Sequence, residues 1–187
     1  MSSITSIIKA ASCRLANFAG ECRGVSAVEF ALLLPIMMTL YLGCVEASQG
    51  IAAHRKVTIT SRTLADLSSQ YTDITNAEMT NILTAGSAII APYAAANLVE
   101  VVSEISVNAQ GLASVVWSDT LNGTALTAGQ TVIIPSSLAV PNTYLLLAQV
   151  QYSYNPTYAY VMTGTLNLQD QIYMHPRQST SIARTAS

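Results

Sequence analysis

Charge is scarce in this chain, and positive charge is nearly missing from its longer part. Asp, Glu, Lys and Arg make up 10% of 187 residues, and no Lys or Arg occurs between Arg62 and Arg177. The same interval holds Asp66, Asp73, Glu78, Glu100, Glu104, Asp119 and Asp170. A nucleic-acid footprint needs clustered cations that displace counterions from phosphate, so this surface excludes nucleic acid as a partner. Cysteine is equally sparse: Cys13, Cys22 and Cys44 are the only three, all near the start. No disulfide framework can hold the remainder together, and its stability must come from an apolar core. The two histidines, His54 and His175, lie far apart with no local acid or cysteine partner. Metal-ligand spacing is lacking, as are the G-x-S-x-G, H-E-x-x-H and P-loop patterns. The expectation is therefore a protein with no catalytic residues, no metal, no cofactor and no small-molecule substrate.

What is abundant is apolar surface. The composition is 51% apolar with a mean hydropathy of +0.40. This length suits one membrane helix and one small folded domain. The segment from Val25 to Val45 has about 21 residues, enough to cross a bilayer as a helix. Glu29 lies inside it. A carboxylate in hydrocarbon costs roughly 2.5–3.5 kcal/mol on insertion scales, so it calls for a partner. The bland alternative is an acid near the interface that reaches the headgroups or is protonated. Pro35 removes one helical hydrogen bond, which predicts a bend near it.

The residues before the helix are basic. Lys9, Arg14 and Arg23 stand against Glu21, whereas five basic residues face nine acidic ones after position 24. Positive residues stay on the cytoplasmic side of a first helix, so residues 1–24 are expected inside and the rest outside. Arg55 and Lys56, beyond the apolar run, weaken that asymmetry.

The run Arg23-Gly24-Val25-Ser26-Ala27-Val28-Glu29-Phe30-Ala31-Leu32-Leu33-Leu34-Pro35 resembles the start of TadE/TadG-like proteins, minor pseudopilins of the tight-adherence (Tad, Flp) type IVb pilus apparatus. The resemblance covers about twenty residues. It implies cleavage by a prepilin peptidase between Gly24 and Val25, with Glu29 as the fifth residue of the mature chain. It further implies that Glu29 pairs with the new α-amino group of Val25 on a neighbouring subunit. Phe30 follows the acid where major Flp pilins usually carry tyrosine, which fits a minor pilin. The implied partners are the inner membrane, the prepilin peptidase and other pilins or pseudopilins, with the C-terminal domain periplasmic. On the residues alone three other fates stay open. Val45-Glu46-Ala47 before Ser48 resembles a signal-peptidase site, Leu40 to Cys44 resembles a lipoprotein site with a poorly suited tyrosine, and the chain could stay uncut as an anchored scaffold.

Beyond the membrane the period stays helical through Val57, Thr60, Leu64, Leu67 and Tyr71. A helix continuous over residues 26–70 would be roughly 68 Å long. Thr75-Asn76-Ala77-Glu78 reads as a capping box opening a second helix, with Met79, Ile82, Leu83, Gly86, Ile89 and Ile90 on one face and Pro92 beyond its end. From Leu98 the period becomes two. Val99, Val101, Ile105 and Val107 share the packed face, and Glu100 and Glu104 are expected to point the other way, to solvent. Asn108 to Gly111 is a turn, followed by strands over 113–118, 131–134, 144–154 and 166–174, the Leu145-Leu146-Leu147 run predicting burial on both faces. Residues from Arg177 onward show little pattern. Tyr152, Tyr154, Tyr158 and Tyr160 read either as a sheet face with its loop or as an adhesive patch, and Asn122-Gly123-Thr124 reads as a turn. The fold class is α+β and pilin-like: a long transmembrane and stem helix, a second helix and an antiparallel sheet. Its divisions are a leader 1–24, a membrane helix 25–45, a stem extension 46–72 and a domain 73–187.

Overall fold

The structure, a computed structural model, describes residues 23–156, 160 and 164–185. The basic leader with Lys9, Cys13, Arg14, Glu21 and Cys22 lies outside the described residues, as does Tyr158. The architecture is α+β, as the periodicities require. Helix α1, Arg23–Ser69, is unbroken for 47 residues and contains Pro35. Thr39 Oγ1 donates to the Pro35 carbonyl at 2.8 Å. The chain divides between Val45 and Glu46 into two compact units.

In the unit from Glu46 onward, α1 contributes Ala53, Val57, Leu64 and Ala65 to one buried cluster, at the three- and four-residue steps of a helix face. Strand β1, Asp73–Ile74, precedes helix α2, Asn76–Ile89. The capping box at the head of α2 forms: Glu78 N donates to Thr75 Oγ1, and Thr75 N donates to Glu78 Oε2 at 2.8 Å. These bonds hold the Glu78 carboxyl below the usual carboxylate range. Thr75→Ala removes one acceptor and should lower stability by about 1 kcal/mol, read as a shifted urea midpoint at unchanged slope.

The five-stranded antiparallel sheet has the order β4-β3-β2-β5-β6, with β2 Leu98–Val107, β3 Ala113–Leu121, β4 Thr131–Val132, β5 Thr143–Tyr154 and β6 Leu166–Met174. The β2–β3 turn uses the expected chemistry. Asn108 Oδ1 accepts from the Gln110 and Leu112 amides, and Gly111 takes φ +79°. Asn122 takes φ +56° in the loop after β3. Leu145, Leu146 and Leu147 are buried on both faces of β5. One sheet face, with Leu98, Val102, Leu146, Ala148 and Val150, packs on the helices. The opposite face carries a second cluster, Ile105, Val107, Ala113, Leu145 and Leu147, covered by Val132, Ile134 and Leu138.

Three expectations fail. Glu100 and Glu104 do not face solvent; they are 0% and 1% exposed, on the face under the helices. Strand β2 is central and covered on both sides, so alternation separates its faces without leaving one wet. Residues beyond Arg177 are also not patternless. Ile182 is buried, and Ala183–Arg184 form β7, which pairs in parallel with β1 as a separate two-stranded sheet. The strand expected over 131–134 stops at Val132, and Pro135 leads instead into a 3₁₀ turn. Tyr152 and Tyr154 are core residues, each 6.0 Å from the Tyr93 ring, while Tyr160 is exposed.

Candidate functional site

The N-terminal stretch of α1 is apolar and uncovered. One window of 18 residues has a mean hydropathy of 2.0, and none of it is buried. By length and composition this is a helix able to cross a membrane. Val25, Val28, Phe30, Leu32, Leu33, Ile36, Met37 and Leu40 are all more than half exposed. Glu29 is exposed among them, and no described cation meets its carboxylate. Helical spacing puts Val25, Glu29, Leu33, Ile36 and Leu40 along one stripe, with the acid one turn from Val25. Gly24 is the second residue of α1, and a β-carbon built on it would meet no atom within 4 Å. Nothing in the described chain therefore requires a glycine there. Gly24, Val25, Glu29, Phe30 and Pro35 all lie on this one helical segment. Cys44 is exposed with a free thiol.

The sheet domain holds a second set of carboxyls that periodicity did not single out. Glu100 sits between Val150 and Leu121 in the sheet register, against Gly86 of α2, where an added β-carbon would overlap Glu100 Oε1. Among the described residues neither of its carboxyl oxygens has a hydrogen-bond partner. Burial pushes the group up to about 8, so the neutral acid is the stable form at pH 7. Gly86 is the legible trace of this contact: a glycine on the packed face of a helix marks a close approach.

Glu104 is buried but satisfied. Its Oε1 accepts from the Ile182 amide at 2.6 Å and its Oε2 from Trp117 Nε1 at 3.0 Å. Burial raises the Glu104 carboxyl, against the pull of these two donors. Neither acid opens onto a place where a substrate could sit. On the other sheet face a groove of about 420 Å³ is lined by Val99, Val101, Gln149, Gln151, Gln169, Asp170 and Gln171, with Asp170 as its one charged side chain. Among the described residues no three His, Cys, Asp or Glu side chains converge as metal ligands would.

No curated protein and no solved structure matches the chain. A family model does: the one described as TadE-like protein matches residues 24–66. The match starts at Gly24, takes in Val25, Glu29, Phe30 and Pro35, and ends within α1, so the chain carries a TadE-like segment on a helix able to span a membrane, consistent with the TadE/TadG-like family and with a Tad pilus-related protein.

Proposed function

We propose that the chain is a minor pseudopilin-like component of a Tad/Flp pilus assembly and secretion machine. Residues 25–45 anchor it in the inner membrane, the leader 1–24 stays cytoplasmic, and the domain from residue 73 lies in the periplasm on the stem extension 46–72. A prepilin peptidase cuts between Gly24 and Val25. The exposed stripe of Phe30, Leu32 to Leu34 and Ile36 to Leu42 then packs against other pilin or pseudopilin stems. One observation carries this reading: a lone carboxylate, Glu29, in an exposed apolar helix, one turn from the residue that cleavage would make the N-terminus. An unpaired charge at that depth is disfavoured, and a neighbouring subunit's ammonium offsets the desolvation. The role is structural, with no substrate of its own.

Mass spectrometry of the N-terminus, on protein from cells with an active prepilin peptidase, tests the reading. A chain beginning at Val25 supports it, and an intact leader rejects it. Gly24→Ala sharpens the test. The added methyl meets no described atom within 4 Å and favours the helix by up to about 1 kcal/mol, so folding is retained. Accumulation of uncut Gly24→Ala protein therefore reports recognition at the peptidase, where the backbone must approach closely. The rival reading is an uncut, membrane-anchored scaffold of the same apparatus. In its favour, Arg23 to Val25 are already helical, whereas a protease needs its scissile bond extended. Intact N-termini on wild-type protein would select it.

A further inference from the structure

Residues 181–185 form a strap anchored by several elements at once. The Ile182 amide donates to Glu104 on β2, and the Ile182 carbonyl accepts from Trp117 Nε1 on β3 at 2.8 Å. The Ala183 amide donates to the Thr72 carbonyl, and the Thr185 amide to that of Ile74, both at 3.1 Å. Arg184 forks onto Asp119 of β3 through Nε at 2.8 Å and Nη2 at 3.2 Å, and reaches Asn76 Oδ1 at the head of α2. Thr185 Oγ1 donates to Asp73 on β1. The Ile182 side chain is 1% exposed. Together these make a slot for an extended segment with a buried aliphatic residue, one free position, an arginine and a threonine. This is strand addition combined with side-chain recognition.

Two features make the slot separable from its occupant. The strap pairs only with β1, so lifting it out breaks no rung of the five-stranded sheet. The link from β6 to the strap, residues 175–180, has no regular structure, is tied to α1 at Arg177, whose amide donates to the Ser69 carbonyl at 2.9 Å, and exposes His175, Gln178 and Thr180 on either side of that tie. A short hinge feeding a strand that stands outside the main sheet is the geometry from which identical chains exchange elements. Arg184 and Arg177 are also the only cations after Arg62, and Arg177 is engaged by Asp66. Beyond Arg62, only the strap therefore offers the apolar–arginine pattern that the slot accepts.

We propose that the slot formed by Thr72 to Ile74, Glu104, Trp117 and Asp119 is an inter-subunit docking site, and that its partner is the 181–185 strap of a second copy of this chain. The strap seen in place is the same ligand bound within its own chain. The contact lies wholly in the sheet domain and stands apart from the reading of the membrane helix.

Charge exchange tests it on the full-length protein in detergent. Asp119→Arg in one tagged preparation spoils the slot, and Arg184→Asp in another spoils the strap. Matched pairs are available only across the two: the Arg184→Asp strap in the Asp119→Arg slot, and the unaltered Arg184 strap of the first in the unaltered Asp119 slot of the second. Mixing them should give at least about tenfold more co-purified complex than either variant with itself, the value of a single charge-assisted pair. The double variant Asp119→Arg/Arg184→Asp, matched within one chain, should return to the wild-type level. Trp117 is the only tryptophan and bonds the strap directly. Its emission should shift in each single variant and recover in the mixture. Complex formation in the mixture no greater than in the separate variants overturns the proposal. Loss of the far-UV circular dichroism of both single variants overturns it too, because the strap would then be an inseparable part of the core.

Discussion

Glu100→Gln is expected to stabilise the sheet domain by roughly 4 kcal/mol at pH 8.5, and to change it little at pH 4. The reason is a proton. Unfolded, the carboxyl titrates near 4.5; folded, it holds its proton up to about 8, because it is shut between β2 and Gly86 with no donor to receive a charge. The sign follows directly. Below about 4.5 both states are protonated and the acid costs nothing extra in charge. Between there and about 8 folding must take up a proton, and stability falls by about 1.36 kcal/mol per pH unit. Above about 8 the loss is complete. Glutamine matches the shape and cannot ionise, so its profile lacks that slope. Urea midpoints followed by Trp117 emission between pH 4 and 9 measure it. Parallel profiles for wild type and Glu100→Gln would mean that the acid is already ionised and has a partner. A slope of the opposite sign, with stability gained as pH rises, would place Glu100 at a cationic neighbour instead.

What could be read in the sequence was local. The Thr75–Glu78 box and the Asn108 turn specify their own hydrogen bonds within four residues, so composition alone located them. The helix period through Val57 and Leu64 and the two-residue period of β2, β5 and β6 likewise set the element types. The apolar stretch with Glu29 was legible because a charge inside such a run contradicts its surroundings. Three features were not legible, each for a reason of distance. Glu100 looked solvent-exposed because alternation gives two faces without telling how many layers cover them. Here α2, whose Gly86 meets Glu100, and the second cluster beneath Leu138 cover both. The strap was invisible because β1 and β7 are two residues each, too short for a period, and their register joins Asp73 to Ala183. The Arg184–Asp119 pair spans 65 positions and is announced only by the rarity of cations around it. Carboxylates on a cation-poor chain were visible; which of them are satisfied depended on the fold.

Glu29→Ala should leave the sheet domain and the processing step intact and abolish association with other pilin stems. The side chain is exposed and forms no ion pair with a described residue, so its removal creates neither a cavity nor an unsatisfied group in the folded chain. Insertion into the membrane should become easier by about 2.5–3.5 kcal/mol, since the charge is what opposes it. The loss falls on the assembled state. With cleavage after Gly24, the Val25 ammonium of a neighbouring subunit would enter hydrocarbon with no carboxylate to receive it. Removing one partner of a buried ion pair costs about 3–5 kcal/mol, or about two to four orders of magnitude in affinity. Glu29→Asp keeps the charge but shortens its reach by a methylene, and should recover part of the association. Glu29→Gln keeps the reach without the charge and should behave like alanine. The measurement is a pull-down of pilin partners from solubilised membranes, with mass spectrometry of the N-terminus on the same samples. If wild type and Glu29→Ala capture partners equally, the acid is a tolerated interfacial residue, and the apolar stripe of α1 alone must account for stem packing.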